Sequence, residues 1–253
     1  MPGSTMVCRS ILKIIYLRIF DPAKSTNEKT ESNCFMALLG LLKRKQCWFP
    51  SVYGWLLIGV VFFVVNILFM FTAQPFLAPN HPIKSEILVV EGWVPDYVFE
   101  LAKAEFESKN YKLLFVTGEP TEKGSYLTEF NNFAEIGAKT LLKLGMNPDQ
   151  VVAVPAPFVV RDRTYETALA LKKWFHDSGM KVNSVNLLSL GAHSRRSRML
   201  FEKALDFEVK VGIIAVTNQD YNPKRWWRYG DGVRTTISEA IAYVYARFLF
   251  HPE

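Results

Sequence analysis

Val185-Asn186-Leu187-Leu188-Ser189-Leu190-Gly191-Ala192-His193-Ser194-Arg195-Arg196-Ser197-Arg198 decides how the chain is read. An apolar run of strand type ends in a glycine, a short loop carries a histidine, and a serine opens a helix with three arginines in its first turns. A helix N-terminus presents free N–H groups and about half a positive charge, a geometry that favours an anion. Arginines there add planar, bidentate donors for phosphate or carboxylate. Simple solvation of the same arginines is the other role that fits.

The same strand-then-helix pattern repeats outward from this stretch. Strands are expected at Glu86–Val90, Leu113–Val116, Val151–Val154, Ser184–Leu190 and Glu208–Val216. Helices are expected over Asp96–Lys109, from a Thr128 cap to about Leu144, from an Asp162 cap to Asp177, over Ser194–Leu205, and from about Thr235 to Phe250. Strands alternating with helices of ten to fifteen residues predict βαβ units and a mostly parallel sheet of about five strands. Right-handed crossovers would place helices on both faces, giving a three-layer, Rossmann-like α/β domain over residues 85–253.

Ahead of that domain, Val52 to Phe71 is a run of twenty residues without charge, with Asn66 its one strongly polar member. At about 1.5 Å per residue it spans about 30 Å, a bilayer core. Lys43-Arg44-Lys45 precedes the run and no Lys or Arg follows before Lys84. The positive-inside rule then predicts a cytoplasmic N-terminus and an extracytoplasmic domain, with Trp48, Phe49, Tyr53 and Trp55 as an interfacial belt. Phe71 and Phe76 stand where a cleavable signal would need small residues, so an uncleaved anchor over 52–73 is favoured. Residues 1–51 form a basic tail, in which Ile11 to Phe20 could lie on the membrane surface, Asp21 to Asn33 reads as linker, and Met36 is a second candidate start. Pro75, Pro79 and Pro82 mark a linker over 74–84. Cys8, Cys34 and Cys47 all precede the span, so the domain has no cysteine to oxidise.

Residues 1–77 carry 8 Lys or Arg against 3 Asp or Glu, and the rest 22 against 21. The basic balance therefore belongs to the tail. A domain that is nearly neutral, with no zinc-finger or RNP-like pattern, argues against nucleic acid as a partner. There is no GxSxG elbow, Walker loop or GxGxxG after the first strand. The four histidines are too scattered for a metal site, and the residues name no cofactor.

In parallel sheets ligands bind beyond the carboxyl ends of the strands. That rule gathers Glu91-Gly92-Trp93, Thr117-Gly118-Glu119, Arg161 to Glu166 and Gly191 to Arg196 around one crevice. His193 is the leading proton-transfer candidate, with Glu91 and Glu166 behind it. Each has a structural alternative: local packing for His193, pairing with a nearby arginine for Glu91, helix-dipole stabilisation for Glu166. Gly92, Trp93, Thr117, Gly118, Arg161, Arg163, Thr164, Gly191, Ser194, Arg195 and Arg196 are the ligand-contact candidates. Trp226 and Trp227 are further candidates, as a stacking platform, a membrane-dipping loop or a lid.

Glu91-Gly92-Trp93, Thr117-Gly118, Arg163-Thr164-Tyr165-Glu166-Thr167-Ala168 and Gly191-Ala192-His193-Ser194-Arg195-Arg196 together resemble the YdcF/SanA/ElyC-like family over about residues 85–250. Thr164-Tyr165-Glu166 and His193 with Arg196 match its motifs residue by residue. Glu91-Gly92 and Gly118-Glu119 depart from its paired glycines, and Thr167 from its usual asparagine. The resemblance implies a Rossmann-like fold, often membrane-anchored, linked in some members to envelope integrity, peptidoglycan assembly and lipid-carrier metabolism. Joined to the arginines of the crevice, it leads to the expectation of an envelope protein that binds an anionic cell-wall or lipid-linked precursor. A soluble branch associated with S-adenosylmethionine supplies an alternative ligand class, and a non-catalytic binding or regulatory module is the other alternative.

Overall fold

Five short apolar runs form one all-parallel sheet in the computed structural model, which describes residues 42–44, 48–121 and 130–252. The strands are β1 (Ile87–Glu91), β2 (Leu113–Gly118), β3 (Val151–Pro155), β4 (Ser184–Leu190) and β5 (Lys210–Val216). The helices are α1 (Val52–Leu77), α2 (Asp96–Ser108), α3 (Phe133–Lys143), α4 (Arg163–Asp177), α5 (Ser194–Ala204) and α6 (Gly230–Phe248). The tail readings before residue 42, including Met36, and the Thr128 cap lie outside the described residues.

Strand order is β3-β2-β1-β4-β5. The chain builds outward from β1 to β3, then returns through α4 to the other side of β1. Direction therefore reverses between β1 and β4, paired at Leu88–Asn186, Val89–Leu187 and Val90–Leu188. Alternate side chains point to opposite faces. Leu88, Val90, Leu114, Val116, Leu188 and Leu190 meet Val98, Phe99 and Phe106 of α2 and Leu141 of α3. Ile87, Val89, Phe115, Val185, Leu187 and Ile213 meet Leu171 and Phe175 of α4 and Phe201 of α5. Both faces are buried, which is why the strands are mostly apolar on both faces rather than alternating. Each fully buried Leu, Val or Phe contributes about 1.5–3 kcal/mol.

Several boundaries differ from those expected. Strand β1 runs from Ile87 to Glu91, shifted by one residue from the expected Glu86–Val90, and ends on Glu91 in register with Thr117. Helix α3 starts at Phe133, where the Asn132 side chain accepts from the Glu135 N–H at 2.8 Å. Asp162 does precede α4, but with φ 60° and no side-chain cap bond; its backbone carbonyl accepts from Tyr165 and Glu166. Strand β5 begins two residues later than expected because Asp206 and Phe207 turn with positive φ. Helix α6 begins five residues earlier, at Gly230; Gly232 in its first turn is closely packed, and a Cβ there would stand 2.4 Å from the Trp226 carbonyl oxygen.

The chain separates into two units, Met1–Asn66 and Ile67–Glu253. In the first, Leu42–Arg44 and Trp48–Pro50 pair antiparallel, and most of α1 follows. Helix α1 is 26 residues long, uncharged, and long and apolar enough to cross a membrane. Asn66 and Thr72 turn their polar groups onto the helix's own carbonyls at 2.7 Å.

The second unit takes in the last turns of α1 and the segment expected to be linker. Gln74 is buried, donating to the Tyr221 hydroxyl at 3.3 Å and accepting from Thr236 at 3.1 Å. His81 pairs with Ile213 across two backbone hydrogen bonds. Buried Asn186 holds Ile83 N–H, Ile83 C=O and the Tyr111 hydroxyl. Burial pushes the Tyr111 hydroxyl up to about 12.

Candidate functional site

A crevice of about 820 Å³ opens where strand direction reverses, at the carboxyl ends of β1 and β2 and against α4, α5 and α6. Reversal leaves the loops after β1 and β4 running apart, so a cleft there follows from topology. The α3 N-terminus closes one side. Gly118 permits this: a Cβ would lie 2.4 Å from the Ala134 nitrogen. The polar wall holds Glu91, Thr117, Glu119, Arg163, His193 and Glu239, and the apolar wall Leu200, Ala242, Tyr245, Ala246 and Phe250.

Four charged groups, two of each sign, interlock under the polar wall. Glu91 is 2 % exposed. Its Oε2 accepts a short hydrogen bond from the Ser189 hydroxyl and its Oε1 one of 2.9 Å from Ser197. His193 Nδ1 lies 2.9 Å from Glu239 Oε1, and Nε2 lies 3.4 Å from Glu91 Oε1, an ion-pair contact outside hydrogen-bond geometry. Arg196 grips Glu239 with Nε to Oε2 at 2.8 Å and a terminal nitrogen to Oε1 at 3.1 Å, the bidentate fork. Trp93 meets the His193 ring edge to face, with centroids 4.9 Å apart.

Burial alone would drive protons off His193 and onto both carboxylates. The mutual attraction overrides it. Despite that opposing burial, Glu91 and Glu239 raise His193 to about 9, so it is an imidazolium at neutral pH. Glu239, although buried, falls to about 2 through His193 and then Arg196. Glu91 is likewise held below the usual carboxylate range by His193 and the two serines. With Nδ1 protonated and donating to Glu239, the Arg196 nitrogen 2.9 Å away cannot donate to it and serves the carboxylate instead.

The sequence-selected residues divide. Glu91, Trp93, Thr117, Gly118, Arg163, Thr164, His193 and Arg196 line the crevice together. Gly92 stands beside it, its N–H donating to the Thr117 carbonyl at 2.6 Å. Glu166 does not join them: one turn into α4, it lines a separate shallow hollow with Pro155 and Trp174, so it can move no proton in the crevice. Arg161 points to solvent beside Asp162. Arg195 turns away, donating to the Phe76 carbonyl and lying 4.1 Å over its ring. Arg198 pairs with Glu202. The three arginines after His193 therefore each hold a protein partner rather than a shared anion site. Gly191 lines a different hollow, with Asn218 and Trp227, and Ser194 is buried under the loop.

Trp226 and Trp227 also lie away from the crevice. Their short 3₁₀ segment puts both rings on α1: Trp226 packs on Phe69 and donates to the Met70 carbonyl at 2.9 Å, and Trp227 packs on Phe71. They clamp a helix rather than offer a platform.

Glu239 and the two serines were missed. Glu239 is the lone carboxylate in a helix otherwise apolar or small from Thr236 to Ala246, with Ala242 and Ala246 at i+3 and i+7, and that spacing was the available signal. Ser189 interrupts an apolar strand one residue from its end.

Two buried polar atoms at the crevice, Thr117 Oγ1 and His193 Nε2, have no hydrogen-bond partner among the described residues. Unsatisfied buried groups are rare and call for an explanation, a ligand among them. Among the described residues, no group of three or more His, Cys, Asp and Glu could hold a metal ion. The chain matches no protein-family model, no curated protein and no solved structure.

Proposed function

We propose that the chain is a single-pass plasma-membrane protein of the YdcF/SanA/ElyC-like kind, its Rossmann-like three-layer domain extracytoplasmic, which binds an anionic cell-wall or lipid-carrier-linked ligand and so serves envelope and peptidoglycan biogenesis. The observation that carries the reading is the crevice's division into two walls. Thr117 Oγ1, His193 Nε2 and the α4 N-terminus supply donors for an acidic head, and Arg163, which also pairs with Glu119 at 3.2 Å, adds positive charge at the rim. Leu200, Ala242, Tyr245 and Phe250 supply a surface for an apolar body.

The ion network favours binding over turnover. An imidazolium held between two carboxylates is a poor proton acceptor at neutral pH, so His193 serves as a fixed positive donor. A nucleotide or S-adenosylmethionine is the weaker reading, since Glu91-Gly92 and Gly118-Glu119 stand in place of the paired glycines that would let such a ligand approach the backbone closely.

Thermal unfolding of the full chain in nanodiscs tests the ligand. Undecaprenyl phosphate should stabilise it, by about 2.7 kcal/mol at a hundredfold excess over the dissociation constant. Stabilisation by S-adenosylmethionine in its place would overturn the assignment. Orientation is tested separately: a reporter active only outside the cytoplasm, fused after Glu253, should work, and a cytoplasmic C-terminus would refute the topology.

A further inference from the structure

Helix α6 has three faces with three different neighbours. Thr236 and Tyr243 meet the last turns of α1, through Gln74 at 3.1 Å and through the Phe76 ring at 5.4 Å between centroids. Glu239, Ala242 and Ala246 line the crevice. The third face carries Ile237, Ile241, Val244 and Phe248, at i, i+4, i+7 and i+11, one continuous apolar stripe. All four are exposed, Ile241 by 66 % and Phe248 by 67 %. A stripe of that size does not stay in water on an ordinary soluble surface.

We propose that this stripe lies in the headgroup–acyl boundary of the bilayer that holds α1, making α6 an interfacial membrane-binding helix. The proposal rests on the reading of α1 as a membrane anchor. Continuity identifies the occupant. Residues 67–77 of α1 belong to the same unit as α6 and are fastened to it by Gln74, Phe76 and the Trp226 hydrogen bond to Met70. Exposed Phe71 and Phe76 extend the apolar surface from the stripe toward the anchor. Helix α6 therefore stays within about a helix diameter, ~10 Å, of the end of the apolar run.

Charge points the same way. Residues 222–252 carry five Lys or Arg against two acidic residues, although the domain as a whole is nearly balanced. Lys224, Arg225 and Arg228 stand before the helix, Arg234 near its start, and Arg247 at its end over the Phe248 ring. Basic residues bordering a Phe- and Ile-rich face are the composition of a helix that lies on anionic lipid. Half-exposed Tyr245 borders both stripe and crevice, so this placement opens the apolar wall of the crevice toward the lipid.

Spin-label accessibility tests the placement on the full chain, with Cys8, Cys34 and Cys47 replaced by serine, in vesicles of phosphatidylethanolamine and phosphatidylglycerol. Labels are placed through Leu57→Cys in the anchor, Ile241→Cys and Val244→Cys on the stripe, and Lys173→Cys on the exposed face of α4. At positions 57, 241 and 244, collision with oxygen should exceed collision with a water-soluble nickel chelate, and position 173 should show the reverse. Positions 241 and 244 behaving like 173, while 57 stays lipid-exposed, would overturn the interfacial placement and leave the anchor standing. An aqueous signal at 57 would overturn both. Spin–spin broadening at 241 that disappears on dilution with unlabelled protein would put a second copy on the stripe and also overturn the placement.

Discussion

Glu239 satisfies His193 and Arg196 at once, so its removal leaves two positive charges buried beside the crevice. Breaking a buried pair from one side costs about 3–5 kcal/mol, and Glu239→Ala should lose that much in chemical denaturation of the full chain. A loss below about 1 kcal/mol, the range of exposed pairs, would contradict the network. The same pairs set the pH dependence. His193 is raised from 6.5 to about 9, so its contribution to stability is complete below about pH 6.5 and is lost as pH rises through 9. Glu239 is lowered from 4.5 to about 2, so its contribution is complete above about pH 4.5 and is lost as pH falls toward 2. Melting temperature should therefore decline between pH 6.5 and 9, and His193→Gln should flatten that decline. A wild-type profile already flat over this interval would show the imidazolium unsupported. Read from the sequence, Arg196 is a ligand-contact candidate; in the structure its fork is closed on Glu239.

At the scale of elements, the strands were legible because a sheet covered on both faces needs predominantly apolar runs, and each such run is closed by glycine, proline or a polar residue. Helix starts were less legible. Gly230-Asp231-Gly232 has the composition of a loop, yet a helix begins there, with Gly232 closely packed on the Trp226 carbonyl. The tandem tryptophans stood out, but their partner, the end of α1, lies more than 150 residues away in sequence and no local pattern names it. Trp226→Ala removes a buried ring from this clamp and leaves the Met70 carbonyl without its donor. A cost of about 3–5 kcal/mol is expected in the unfolding of the Ile67–Glu253 unit, within the full chain. A cost under about 1 kcal/mol would mean that α1 is not held there.

For the whole molecule, strand ends alone were enough to locate the crevice, since a parallel sheet that reverses direction opens a cleft at the reversal. Eight of the sequence-selected residues line it. Roles were harder to read than places. Glu91 suggested an arginine partner and has a histidine and two serines; Arg195 and Arg198 suggested an anion and hold the Phe76 carbonyl and Glu202. The partners of the two arginines come from α1 and from within α5, and strand-end logic does not reach them. The most direct test of the ligand crevice is equilibrium titration of undecaprenyl phosphate into the full chain in nanodiscs, comparing wild type with Thr117→Val and Arg163→Ala. Thr117→Val removes a buried hydroxyl that has no partner among the described residues, so stability should hold or rise. Affinity should fall in both variants, for Arg163→Ala by about 1.5–3 kcal/mol, the range of a charged hydrogen bond. Unchanged affinity in both, with the fold intact, would contradict a ligand site in this crevice.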